Sequence, residues 1–211
     1  MEVLAGLRAV QIEYTDGLDT EVYILECEGV LILVDVGFTP LCHGNIQKEL
    51  DSMGAQWGDI KMIIITHAHG DHINNLAQVL ELTDAEVVIG DGDEDALETR
   101  TGVRPKIILG QGDVIGACGN IEIIHVPGHS PGNLCLYMHR HKAIIAGDTI
   151  FGDSDGTLEA PPEKYCTDVD MAAKNLSILA QYDFDALLLS HGKNTYEGAK
   201  GKVLKLIESC A

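Results

Sequence analysis

Short apolar runs alternate along this chain with stretches of helical spacing, and several of the runs stop at a polar residue able to do chemistry. Leu31-Ile32-Leu33-Val34 ends at Asp35, and Ile60-Lys61-Met62-Ile63-Ile64-Ile65 ends at Thr66-His67. Ile121 to Val126 runs into Pro127-Gly128-His129, Lys142 to Ala146 into Gly147-Asp148, and Asp185 to Leu189 into Ser190-His191. These apolar runs are short, and that of Ile60 to Thr66 is rich in β-branched residues, so they predict buried strands. Helical spacing is carried by Ile46, Leu50 and Met53, which Gly54 can terminate, and by Ile73, Leu76, Ala77 and Leu80 as far as about residue 82. It returns at Val169, Ala172, Ala173, Leu176 and Leu179, where Thr167 and Asp170 suggest a capping box, and at Val203, Leu206 and Ile207.

The remaining pattern predicts a strand pair over 3–13 and 20–28 around Thr15-Asp16-Gly17, and a strand at Glu86–Gly90. A short acidic helix and two brief strands fall between Asp91 and Gly119, and a hairpin turns at Arg140-His141. Phe151 to Cys166 reads as an irregular loop. One unit recurs: a strand ending in aspartate, a helix, then a strand ending in histidine, first with Asp35 and His67, then with Asp148 and His191. If two such units face each other, their strand ends converge on one site between two sheets.

A chain of 211 residues with 45% hydrophobic content suits one α/β domain over 1–211. The N-terminus has no basic stretch followed by an apolar one, and no segment is long enough to span a bilayer, so a cytoplasmic protein with no membrane partner is expected. The six cysteines show no C-x-x-C pair and no framework spacing, which predicts reduced thiols. With 14 basic against 33 acidic residues the formal charge is −19, a field that repels polyanions and argues against nucleic acid.

Thr66-His67-Ala68-His69-Gly70-Asp71-His72 packs three imidazoles and a carboxylate between a strand and a helix. His67 and His69, two apart on extended chain, leave on the same side and can share one metal. Asp71 and His72 fall on the turn into the helix, where they can aim at a second ion. Such donors suit zinc, iron(II) or manganese. A merely histidine-rich polar loop would not need the interleaved aspartate. His43, His125, His139 and His141 lie outside the pattern and read as surface or satisfied histidines, and Ser130, lacking a G-x-S-x-G setting, reads as a turn residue.

With Gly128-His129-Ser130-Pro131-Gly132, Ala146-Gly147-Asp148-Thr149 and Ser190-His191-Gly192 added in that order, the chain resembles the metallo-β-lactamase superfamily. The resemblance implies an α/β fold, the αββα four-layer sandwich, and a dinuclear site. On it, His67, His69 and His129 hold one metal, Asp71, His72 and His191 the other, Asp148 bridges them, and Asp35 supports the histidine loop without binding metal. The implied cofactor is two divalent ions, zinc first, with iron or manganese as alternatives. A water shared by two cations falls from a pKa of 15.7 toward ~7, which makes a bridging hydroxide available as nucleophile, with Asp71 placed to orient it and carry its proton.

Within the superfamily, zinc β-lactamases lack an aspartate at the place of Asp148. Glyoxalase II-like thioesterases carry basic residues where this chain has Gly152-Asp153-Ser154-Asp155, and RNA-processing members need a basic surface. Flavodiiron members replace a histidine of the motif by a carboxylate. Lactonases usually show a tyrosine soon after the bridging aspartate, and here Tyr165 could reach in from the loop. Asn74-Asn75 stands where many members carry glycines and reads as a helix cap. A metal-dependent hydrolase of a small ester, thioester or lactone is therefore expected, with β-lactams as a weak side activity and Phe151, Lys164 and Tyr165 lining the substrate. The alternative is a persulfide-dioxygenase-like iron protein or a non-hydrolytic metal-binding member. The partner expected is a small molecule, with a homodimer as one option for assembly.

Overall fold

Hydrophobic segments of the chain form strands in two larger sheets and a small two-stranded one among the described residues, with the helices as crossovers and flanks. The computed structural model describes residues 1–13, 19–38 and 42–210. The turn expected at Thr15-Asp16-Gly17 lies outside them. Among the described residues, β1 (Glu2–Leu4), β2 (Leu7–Glu13), β3 (Asp19–Cys27), β4 (Val30–Val34), β5 (Ile60–Ile65), β6 (Glu86–Gly90) and β7 (Ile107–Leu109) make a seven-stranded sheet in that order. Strands β1 to β4 run antiparallel, with Glu13 opposite Asp19 and Cys27 opposite Val30. From β4 onward β5 and β6 are parallel. The parallel β4–β5 pair needs a crossover, and α1 (Cys42–Met53) supplies it, burying Cys42, Ile46 and Leu50.

A five-stranded sheet follows in the order β14 (Ala186–Leu188), β11 (Ala143–Ile145), β10 (Leu134–Met138), β9 (Ile121–His125) and β8 (Val114–Ile115). Its β11–β14 pair is parallel and the others are antiparallel. Between β11 and β14 the chain forms α5 (Val169–Asn175) and a 3-10 turn over Leu176–Gln181. The repeated strand, helix, strand unit of the sequence is thus two parallel strand pairs, each with a helical crossover. Residues Ala199–Ser209 form α6, which buries Ala199, Val203 and Leu206.

The chain divides into two compact units, Met1–Ile89 with Glu94–Ile108, and Gly90–Asp93 with Leu109–Ala211. The first has its own core, in which Ile24, Leu33, Ile46, Leu50, Ile63 and Leu76 are buried together. The core of the second gathers Ile124, Ile144, Leu176, Leu179, Leu187 and Val203. Each closes on the alternating inward residues of its strands and the apolar stripe of its helices. No helix among the described residues is long and apolar enough to cross a membrane.

Local departures from the sequence reading have local causes. The single helix expected through residue 82 is two short ones, α2 (Gly70–Ile73) and α3 (Leu76–Leu80). Asn75 makes no side-chain cap; its buried amide donates to the Val36 carbonyl at 3.3 Å. Asp168, not Thr167, is the N-cap of α5, its carboxylate accepting the Met171 N–H at 2.9 Å. The 151–166 loop contains a small hairpin of β12 (Phe151–Gly152) and β13 (Leu158–Glu159). Cys42, Cys135, Cys166 and Cys210 are not disulfide-bonded. The expectation of reduced thiols fails at Cys27 and Cys118, which are disulfide-bonded and carry no local spacing that marks them.

Candidate metal-binding residues

In the first unit the polar residues follow directly from the ends of β4 and β5. Asp35 is 2% exposed and sits at φ +60, a left-handed conformation that aspartate tolerates better than most side chains. Its Oδ1 accepts the Thr66 N–H at 2.8 Å, and its Oδ2 accepts the Thr66 hydroxyl at 2.8 Å. Oδ2 also lies 2.8 Å from Nδ1 of His72. Because an ionised carboxylate can only accept, His72 carries its proton on Nδ1, and Nε2 keeps the lone pair that a metal takes. The same logic reaches His67. With its hydrogen on Asp35, the Thr66 oxygen accepts from Nδ1 of His67 at 3.2 Å, which again turns Nε2 into the ligand atom.

His67 and His72 are fully buried, with ring centroids 4.0 Å apart, and His69 meets His67 edge-on at 4.6 Å. Asp71 is more open, its side chain 32% exposed, and its Oδ2 stands 3.5 Å from His72 Nε2. The four residues of the motif thus gather where the chain passes from β5 into α2. Imidazoles held in a metal-accepting tautomer by a buried carboxylate fit a divalent cation.

In the second unit Asp148 lies in a 3-10 turn after β11 and is 3% exposed. Its two oxygens face different histidines: Oδ2 is 3.3 Å from His129 Nε2, and Oδ1 is 3.5 Å from His191 Nε2. His129 is held at its backbone, where its carbonyl accepts the Thr167 N–H at 3.0 Å and the Thr167 hydroxyl at 3.3 Å. The Cys166 sulfur is 3.9 Å from its Nδ1. Below Asp148, the Thr149 hydroxyl accepts from Asn133 at 2.7 Å and from the Cys135 thiol at 3.1 Å. Complete burial pushes that thiol up to about 12, so it stays a neutral donor.

Phe151 stacks on His191, with ring centroids 5.1 Å apart and planes at 11°, and stands 6.2 Å from the His129 ring. Leu158 is buried in the second core, whereas Tyr165 is 44% exposed with the Lys164 ammonium 4.5 Å over its ring. The remaining histidines have ordinary surroundings: His125 Nε2 meets the Pro131 carbonyl at 2.8 Å, and His139 pairs with Glu122 at 3.0 Å. Thr66 and Thr167 escaped the sequence reading as supports. The signal for Thr66, a hydroxyl residue between an apolar run and the first histidine, was present but not specific.

His67, His69, Asp71, His72, His129, Asp148 and His191 are the histidine and aspartate residues whose grouping is suited to binding metal ions. "Probable metallo-hydrolase YflN" of Bacillus subtilis is 26% identical over 198 residues, covering 76% of this chain and 75% of that protein. A hydroxyacylglutathione hydrolase of Francisella philomiragia is 28% identical over 102 residues, covering 48% of this chain but only 38% of its own length. The crystal structure of a metallo-beta-lactamase family protein from Thermus thermophilus superposes with a TM-score of 0.79 at 18% identity, over 99% of this chain and 80% of that one, a likeness of fold. The family model described as "Metallo-beta-lactamase superfamily" matches residues 15–192, a span that holds both strand-terminal aspartates and every histidine of this grouping. The α/β fold and the motifs thus lead to one assignment: this chain belongs to the metallo-beta-lactamase superfamily.

Proposed function

We propose that this protein is a dinuclear metal-dependent hydrolase of a small ester, thioester or lactone. His67, His69 and His129 are read as ligands of one ion, Asp71, His72 and His191 as ligands of the other, and Asp148 as the bridge. The observation that carries the reading is Asp148 itself: a buried carboxylate with each oxygen aimed at a different histidine suits a group shared by two cations. The names of the hydrolases to which the chain is similar support the same class.

Two divalent ions, zinc before iron or manganese, would supply Lewis acidity toward a carbonyl and lower the pKa of water toward ~7. The chain's own residues do the rest. Asp71, the carboxylate of its motif and partly open to solvent, can orient a water and carry its proton from Oδ2 toward a leaving group. Phe151, flat against His191, offers an apolar wall beside it and limits water there. Lys164 and Tyr165, paired at the end of the same loop, are the polar contacts proposed for a singly anionic substrate. A net charge of −19 disfavours nucleic acid, and we expect no salt-sensitive gel shift at micromolar protein.

The test is a panel of small esters, thioesters and lactones, with a β-lactam beside them, turned over by zinc-loaded protein and by Asp71→Ala. Hydrolysis of one class that falls by about 100-fold or more in Asp71→Ala is the expected result. Hydrolysis untouched by Asp71→Ala would place the chemistry elsewhere, and inertness toward every acyl compound would end the hydrolase reading.

A further inference from the structure

Asp93 follows β6 as a buried carboxylate, 1% exposed, at the start of α4 (Glu94–Thr101). The oxygens of Asp93 reach another loop. Oδ2 accepts the Ser130 hydroxyl at 2.7 Å and Oδ1 accepts the Gly132 N–H at 2.9 Å. Both donors belong to the turn that carries His129, and Ser130 is its immediate neighbour.

The backbone is fitted to this contact. A Cβ on Gly90 would lie 2.0 Å from the Gly132 carbonyl oxygen, and one on Gly132 would lie 2.7 Å from the Asp93 nitrogen. Only glycines at both places let segment 90–93 lie against 131–132. On its other flank the turn is closed by Asp168, whose N–H donates to the Gly128 carbonyl at 2.9 Å, and by the Thr167 bonds to His129. Asp93 therefore holds the turn at Ser130 and Gly132, away from the Gly128 and His129 carbonyls that the Thr167-Asp168 segment holds.

We propose that Asp93 is a positioning residue for metal binding through His129. This rests on the reading of His129 as a ligand. A ligand on a loop keeps its affinity only if the loop is held in the binding geometry without the ion, and groups one layer behind a ligand typically control 10- to 100-fold of affinity. The bonds of Asp93 to Ser130 and to the Gly132 backbone carry the effect. Asp93→Ala removes both acceptors. Asp93→Asn keeps the acceptor for Gly132 through its amide oxygen, and the Ser130 hydroxyl can rotate to accept from the amide nitrogen.

The experiment is competition of zinc-loaded protein against a chromophoric chelator, with cobalt(II) loading followed by its visible spectrum and thermal melting of metal-free protein beside it. Asp93→Ala is expected to weaken one of two zinc equivalents by about 10- to 100-fold and to alter the cobalt spectrum. Ser130→Ala, a smaller change that keeps the Gly132 bond, should weaken the same equivalent by about 3- to 10-fold, and Asp93→Asn should restore most of the affinity. A purely structural Asp93 would lower the metal-free melting temperature and leave affinity and spectrum alone. Both equivalents held within about twofold of wild type in Ser130→Ala and in folded Asp93→Ala overturn the inference. His129→Ala separates the two readings: if it too keeps both equivalents unchanged, His129 is no ligand and the premise has failed.

Discussion

Asp35 shows how a single residue sets the character of its neighbours. Placed at the end of β4, it accepts from Thr66 at backbone and hydroxyl and from His72, and so decides which nitrogen of two histidines faces outward. Removing it takes away the acceptor that these buried donors share. Asp35→Ala should therefore destabilise the metal-free protein by about 3 kcal/mol in urea unfolding, and lower zinc affinity as well. Asp148 acts differently, since it is aimed at histidines on both of its oxygens. Asp148→Ala should reduce both zinc equivalents together when metal content is measured after dialysis, whereas His191→Ala should empty mainly one. Two tightly held equivalents in Asp148→Ala would remove it as a bridge.

Strands and turns place these side chains, and the close approaches of glycine show where the backbone has no slack. Gly192, next to His191, has φ +101, and a Cβ there would fall 1.8 Å from the Gly152 carbonyl oxygen. The two segments are also tied by the Gly152 N–H, which donates to the His191 carbonyl at 3.0 Å. Through this contact the β12–β13 hairpin, with Phe151 on it, and the loop carrying His191 keep one register. Gly192→Ala must push the segments apart, and a loss of roughly 2–4 kcal/mol in thermal or urea unfolding is expected, with weaker stacking of Phe151 on His191. An alanine variant as stable as the parent would show that this junction can relax.

At the scale of the whole molecule the excess of acidic groups makes pH a probe of stability, and Glu49 on α1 is the clearest contributor. Burial pushes its carboxyl up, but hydrogen bonds from the Met1 ammonium and from Arg8, at 2.8 Å and 2.7 Å, outweigh that and hold it below its ordinary 4.5. A depressed carboxylate binds its proton more readily in the unfolded chain. Its contribution to stability is thus full above about pH 4.5, and it is lost as the pH falls through the lower folded value. Urea midpoints measured between pH 6 and 3 should fall for the parent and fall less steeply for Glu49→Gln. Equal slopes would remove Glu49 from the acid transition.

How much of this was legible in the sequence depended on the range of the interactions. Strand runs, helical stripes and the motif His67 to His72 were readable because alternation, helical spacing and dense ligand residues are local, written within a few residues of one another. The repeated aspartate and histidine at strand ends was readable for the same reason, and it became two parallel strand pairs. The sequence by itself thus determined the α/β class, the order of the elements and which residue types could serve as ligands. The tertiary structure alone decided how those groups are held. Asp35 meets Thr66 across 31 positions and His72 across 37, and Asp93 meets Ser130 across 37. Such pairs leave no periodic trace in the chain, because they arise only after the strands have registered. The disulfide bonding of Cys27 and Cys118, the cap at Asp168 rather than Thr167, and the hairpin within 151–166 escaped for the same physical reason: each depends on backbone placement that residue spacing does not encode.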